Sequence, residues 1–221
     1  MTIRKTVAAI LLSISLSPVV AQTIAGVDIQ ALRAASQGAI PSALEAFGQI
    51  LNDQNADMLG VNPSVNISQA EVDHPVVDFT IGLERLQTYQ SGNDPLQILA
   101  ATRLISYPLL TGGGYVTSVS LVELDGKWVS ASFGSSVSTK AILATRQQIA
   151  RDGNIPLPEM FQIRVPVLNL VFVAFVQGGA LSIAPIFDLP ELGLTASRAY
   201  PADAVLRSLV PMARAQNSDP G

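Results

Sequence analysis

Apolar residues recur at helical spacing through residues 28–57, at Leu32, Ala35, Ala39, Leu44, Phe47, Ile50 and Leu51. Pro41 falls inside this stretch, removing a helix hydrogen bond and crowding the preceding turn, so the pattern predicts two helices, the second over 42–52. Residues 55–70 are polar and turn-rich, and read as a loop. Val76, Val77, Phe79 and Ile81 make 75–82 a strand, which runs into a stretch at 83–89 compatible with helix. Asp94-Pro95 then supplies an Asp cap with proline at the first helical position, predicting a helix to about residue 102.

The pattern next changes to alternation. Residues 104–110 and 115–124 read as strands around the turn Thr111-Gly112-Gly113-Gly114, and 127–133 returns after Asp125-Gly126, a pair suited to a turn with positive φ at both central positions. In the middle strand Tyr115, Thr117, Val119 and Leu121 share one face, while Val116, Ser118, Ser120 and Val122 share the other. Neither face is uniformly apolar, so both are expected to be partly covered. Residues 138–152 form a helix stopped by Gly153, with Ala141, Ile142, Ala144 and Ile149 inward and Lys140, Arg146 and Arg151 solvated. Strands follow at 160–166, 167–176 and, beyond the turn Gln177-Gly178-Gly179, 180–187. The apolar run 165–176 reads as a central strand buried on both faces. A last helix over about 202–212 aligns Ala202, Val205, Leu206 and Leu209, with Pro211 expected to end or bend it. The order implies an α+β fold: an antiparallel β-sheet built from hairpins, with helices packed on one face.

The amino terminus changes the picture of where this domain works. Arg4 and Lys5 precede an apolar run at 7–16, then Pro18 and the small-residue site Val19-Val20-Ala21. That order is a secretory signal, with cleavage expected after Ala21 and export to a bacterial periplasm or beyond. The apolar run is shorter than the ~20 residues of a spanning helix, so an uncleaved signal would be the sole tie to a membrane. The expected organisation is signal peptide 1–21, helical segment and loop 22–70, α+β domain 71–214 and loose tail 215–221. No cysteine is present, so neither disulfides nor a lipid-bearing cysteine contribute.

Loss of residues 1–21 removes Arg4 and Lys5 from 13 basic residues, leaving 11 against 17 acidic and a net charge of −6. The remaining cations are scattered singly, whereas nucleic-acid binding depends on clustered Lys and Arg neutralising phosphates. Nucleic acid is therefore not an expected partner. Charged residues are only 14%, against about 25% in ordinary soluble domains. So little charge points to an apolar groove or to association with another chain, including a second copy.

Candidate chemistry is sparse. Glu71, Asp73, His74 and Asp78 gather carboxylates around the only histidine, a combination suited to a divalent metal or a general base, and the alternative is a polar loop leading into a strand. Gly134-Ser135-Ser136-Val137-Ser138 lacks the second glycine of a nucleophile elbow and reads as serines capping a helix. Gly112-Gly113-Gly114 lacks the Gly-Lys-Ser/Thr ending of a phosphate loop. Asn66-Ile67-Ser68 matches a glycosylation acceptor, taken as chance beside a bacterial-type signal. Trp128 lies just past the hairpin turn with Tyr115 nearby, a pair that would floor a groove or simply staple the hairpin.

Tyr107-Pro108, a glycine turn, Val119, Asp125-Gly126-Lys127-Trp128 and Phe133-Gly134 resemble exported bacterial domains of unknown function whose strand-rich half is cystatin-like or NTF2-like. The resemblance spans residues 104–187 and implies a curved sheet wrapping a helix, with roles in binding, inhibition or assembly, and it carries over no site residues. The expected function is a non-catalytic exported binding or interaction module without a cofactor. Its surface would be a concave sheet face with Tyr115, Trp128, Val171, Val173 and Phe175, facing an envelope protein or a small apolar ligand. The alternative is a hydrolase or metal-dependent enzyme centred on His74 with Asp73 and Asp78.

Overall fold

The computed structural model describes residues 23–62, 65–111, 116–134 and 136–216. The expected signal peptide, the glycine turn with Tyr115, Ser135 and the end of the tail lie outside the described residues. A short hairpin, β1 (Thr23–Ile24) and β2 (Val27–Asp28), leads into α1 (Ile29–Gln37) and α2 (Ile40–Ile50). Asp28 caps α1, its Oδ1 accepting from the amides of Gln30 and Ala31 at 2.9 and 3.0 Å. The expected division falls at Gly38-Ala39, and Pro41 sits in the first turn of α2, where no amide donor is needed. A single-turn helix, α3 (Ala56–Leu59), interrupts the expected loop.

The sheet begins with β3 (Glu71–Val72) and β4 (Val76–Thr80), then α4 (Leu83–Gln87) and the meander β5 (Ala100–Leu110), β6 (Val116–Leu124) and β7 (Lys127–Phe133). The helix expected after Asp94-Pro95 is one 3-10 turn, Pro95–Ile98, and the chain is strand again by Ala100. Pairing of Ala100 and Ala101 with Thr80 and Phe79 outweighs the local start signal there. The turn Asp125-Gly126 has positive φ at both positions, 50° and 74°, as expected.

Next, α5 (Ser136–Gly153) carries the chain from the edge strand to β8 (Phe161–Val165), β9 (Leu170–Gln177) and β10 (Ala180–Pro185). The apolar run 165–176 is divided by a 3-10 turn at Pro166–Leu168 and by Asn169 at φ 52°, so it serves two strands. Phe172, Val173 and Ala174 are fully buried, as a strand covered on both faces requires. The chain closes with β11 (Tyr200–Pro201) and α6 (Ala202–Ala215). Pro211 is inside α6 and does not end it, because its ring occupies the exposed side while Leu209, Val210 and Ala213 anchor the helix to the core.

Strand order is β11-β10-β9-β8-β4-β5-β6-β7, with β3 alongside β5. Every pairing is antiparallel except β4 with β8, which run parallel at the centre. The molecule is thus α+β with a large, mostly antiparallel sheet built from hairpins. Helices α1, α2, α4 and α6 share one face and its apolar core, where Phe47 stacks on Phe133 at 4.9 Å and Phe79 meets Phe161 edge-on at 5.2 Å. Helix α5 lies on the opposite face over Val76, Val173, Phe175 and Ala184, so the helices occupy both sides of the sheet. Alternation explains the division: Phe172 and Ala174 point to the larger core, while Val173 and Phe175 point to α5. Within α5 the expected inward Ile142 and Ile149 are buried, but Ala144 is exposed and Arg146, expected in solvent, is 1% exposed.

One glycine holds the junction of α3 with the sheet. Gly60 has φ +72°, and a Cβ there would come within 2.2 Å of the Ser136 Cβ and 2.8 Å of the Val116 carbonyl. Gly60→Ala is expected to cost about 2 kcal/mol, read as a lower urea midpoint with an unchanged m-value.

Candidate functional site

Among the described residues one helix, α5, covers the second face of the sheet, and a cleft of about 140 Å³ opens beside it. Its walls are Ser106 from β5, Ser118 and Ser120 from β6, Ser132 from β7, Ser138 and Thr139 from α5, and Gln162 and Arg164 from β8. Val76, Ile142 and Val171 supply the apolar part. Strand parity brings the hydroxyls together, because Ser106 is register-paired with Ser120, and Ser120 with Ser132. The Ser106 and Ser120 hydroxyls lie 2.9 Å apart. Thr139 donates to Ser118 Oγ at 3.3 Å, and Ser118 donates to the Gly134 carbonyl at 2.6 Å.

Behind this wall lies Asp78, 3% exposed, on the central strand β4. Its register partner across the parallel pair is Gln162, whose Nε2 donates to Asp78 Oδ1 at 3.0 Å. Arg164 Nε lies 3.0 Å from Asp78 Oδ2, and the Arg164 side chain keeps 44% of its surface in solvent. Burial pushes the Asp78 carboxyl up from 3.8 to about 6, against the opposing pull of Arg164 and of the Gln162 hydrogen bond. The site can therefore offer hydroxyl donors and acceptors, one solvated guanidinium tethered to a buried acid, and an apolar wall. Among the described residues the hydrogen bonds at the site place no hydroxyl on a carboxylate or imidazole.

The residues singled out from sequence are distributed differently. His74 is exposed in the turn before β4, and its amide donates to Asp73 Oδ1 at 2.6 Å. Asp78 lies four residues further along an extended chain, about 13 Å at strand rise, and its carboxylate is turned toward Arg164. Glu71 is exposed in β3, paired against Leu110. Among the described residues no group of three or more His, Asp or Glu is placed to hold a metal ion. Local sequence neighbours on an extended segment diverge, which is why the cluster does not assemble.

The expected concave face is likewise divided. Trp128 is half-buried on the α1 side of the sheet, opposite Glu123, and floors a shallow groove with Leu32, Ala35 and the Arg103–Glu123 ion pair. Val171, Val173 and Phe175 point to the other side. Val173 is sealed beneath α5, Val171 borders the serine cleft, and Phe175 borders a second groove with Ile149, Asp152 and Arg198. Tyr115 lies outside the described residues. Sequence reasoning missed Ser106, Ser132, Gln162 and Arg164. The available signal was serine at alternate strand positions, visible in Ser118 and Ser120, which only register extends to neighbouring strands.

No helix among the described residues is long and apolar enough to cross a membrane. Comparison with protein-family models, curated proteins and solved structures returns no match.

Proposed function

We propose that this chain is a non-catalytic, exported binding module whose ligand enters the serine-lined cleft beside α5. The observation that carries this reading is the hydroxyl ring itself, with Arg164 half in solvent at its side. Such a site suits a small molecule with an apolar body, set against Val76, Ile142 and Val171, and a hydrogen-bonding end met by Ser120, Ser132 and Arg164. The likeness to cystatin-like or NTF2-like exported domains belongs to the same proposal, and a long sheet with a helix laid across one face supports it. Export rests on the basic, apolar and small-residue order of the first 21 residues.

Native mass spectrometry of protein purified from its own host, followed by NMR titration of the molecules released, tests the reading. Resonances of Ser120, Ser132 and Thr139 should move on titration. The paired change Ser106→Val with Ser120→Val replaces both hydrogen-bond partners together, so stability should change by less than about 1 kcal/mol while binding weakens at least about tenfold. Protein that carries nothing, with no cleft resonance responding to a fragment panel, would remove the proposal.

A further inference from the structure

At the end of the sheet where the parallel strands β4 and β8 both begin, two buried guanidiniums approach from opposite faces. Arg33 of α1 is 6% exposed and donates to the Pro158 carbonyl and, at 3.0 Å, to the Met160 carbonyl. Arg146 of α5 is 1% exposed and donates to the carbonyls of His74 at 2.9 Å and Leu157 at 3.0 Å. Among the described residues neither forms an ion pair with a carboxylate, and the Nε of each is buried without a hydrogen-bond partner. Asp73 is near enough to favour the charged form of Arg146, yet burial, with a smaller push from Arg33, outweighs it and brings that guanidinium down to about 10. Burial likewise brings Arg33 down to about 10. Two desolvated cations against one loosely placed acid leave an uncompensated positive field, which proteins rarely bury without a counter-charge.

Arg33 also lines a cavity of about 250 Å³. Helix α1 presents Gln30, Arg33, Ala34 and Gln37 to it, at the i, i+3, i+4 and i+7 positions of one stripe, and His74, Pro75 and Pro158 complete the wall. The polar side chains lining it are two amides, an imidazole and a guanidinium, and no carboxylate is among them. We propose that this cavity binds a small oxyanion, a carboxylate or phosphate group, as the counter-charge to Arg33 and Arg146. The terminal N–H groups of Arg33 left over from its carbonyl contacts, together with the amides of Gln30 and Gln37, match the planar or tetrahedral oxygens of such a group, while Arg146, outside the lining, adds its charge from across the sheet. The site lies at the sheet end, apart from the serine cleft, and shares no lining residue with it.

Because an Arg33 variant would also lose two carbonyl contacts, the test places a carboxylate in the cavity instead. Melting temperature is measured for the wild type and Gln37→Glu in inorganic phosphate or acetate, against chloride at equal ionic strength. The wild type should show a saturable rise of about 5 °C at roughly a hundredfold excess over Kd in one of the two oxyanions. Gln37→Glu, carrying its own counter-charge, should lose that rise. The anion that acts distinguishes a phosphate source from a carboxylate source. A wild type indifferent to both anions, or an equal rise in both proteins, overturns the proposal.

Discussion

Arg146→Ala is expected to lower the free energy of unfolding by about 3–5 kcal/mol, from two orphaned carbonyls and the space left by the buried side-chain stem, less the relief of a desolvated charge. The guanidinium bridges the His74 and Leu157 carbonyls, and so ties the loop before β8 to the entry of β4. The central parallel pair depends on that tie, since both strands start beside it. Arg146→Lys should recover little, because a single ammonium on a flexible stem cannot repeat a two-pronged contact to separated carbonyls. Urea unfolding measures both variants. A loss below about 1 kcal/mol for Ala would show that the tie carries little of the stability, and near-complete rescue by Lys would show that the charge and not the fork matters.

Asp78 should give the molecule an unusual acid response. Its carboxyl titrates near 3.8 when unfolded and at about 6 when folded, raised chiefly by burial. Below the lower value both states are protonated and the group is neutral toward stability. Between the two values the unfolded chain ionises while the folded one keeps its proton, so rising pH favours unfolding. Above about 6 the loss is complete, at about 3 kcal/mol. The stability of the wild type relative to Asp78→Asn should therefore fall by that amount from about pH 4 to pH 7 and then level off. The opposite slope would mean that the Arg164 pairing outweighs burial. Protonation of Asp78 also loosens Arg164, so ligand binding in the serine cleft should change across the same interval.

Hairpins were legible because their signals are local. Asp125-Gly126 and Gly178-Gly179 turn with positive φ, and the parity of Val119 and Leu121 against Ser118 and Ser120 matches the two faces. Non-local competition accounts for most of what differed. Pairing with β4 turned residues 100–102 into strand despite the Asp94-Pro95 start, and core anchoring carried α6 past Pro211. Arg146 reads as a solvated helix residue because nothing near it in sequence reveals the carbonyls of His74 and Leu157 that it serves. The site was hidden for the same reason. Ser106, Ser120 and Ser132 are unremarkable one at a time and become a wall only through strand register.

By itself, then, the sequence determined the α+β class, the hairpins and the buried stripe of α6, all of which follow from turn chemistry and side-chain period within a few residues. The tertiary structure alone decided that α5 takes the second face, that Asp78 parts from His74 to meet Gln162 and Arg164, and that Trp128 and Val173 face opposite ways. Those outcomes depend on which strands lie side by side, and that is set by burial summed over the whole chain.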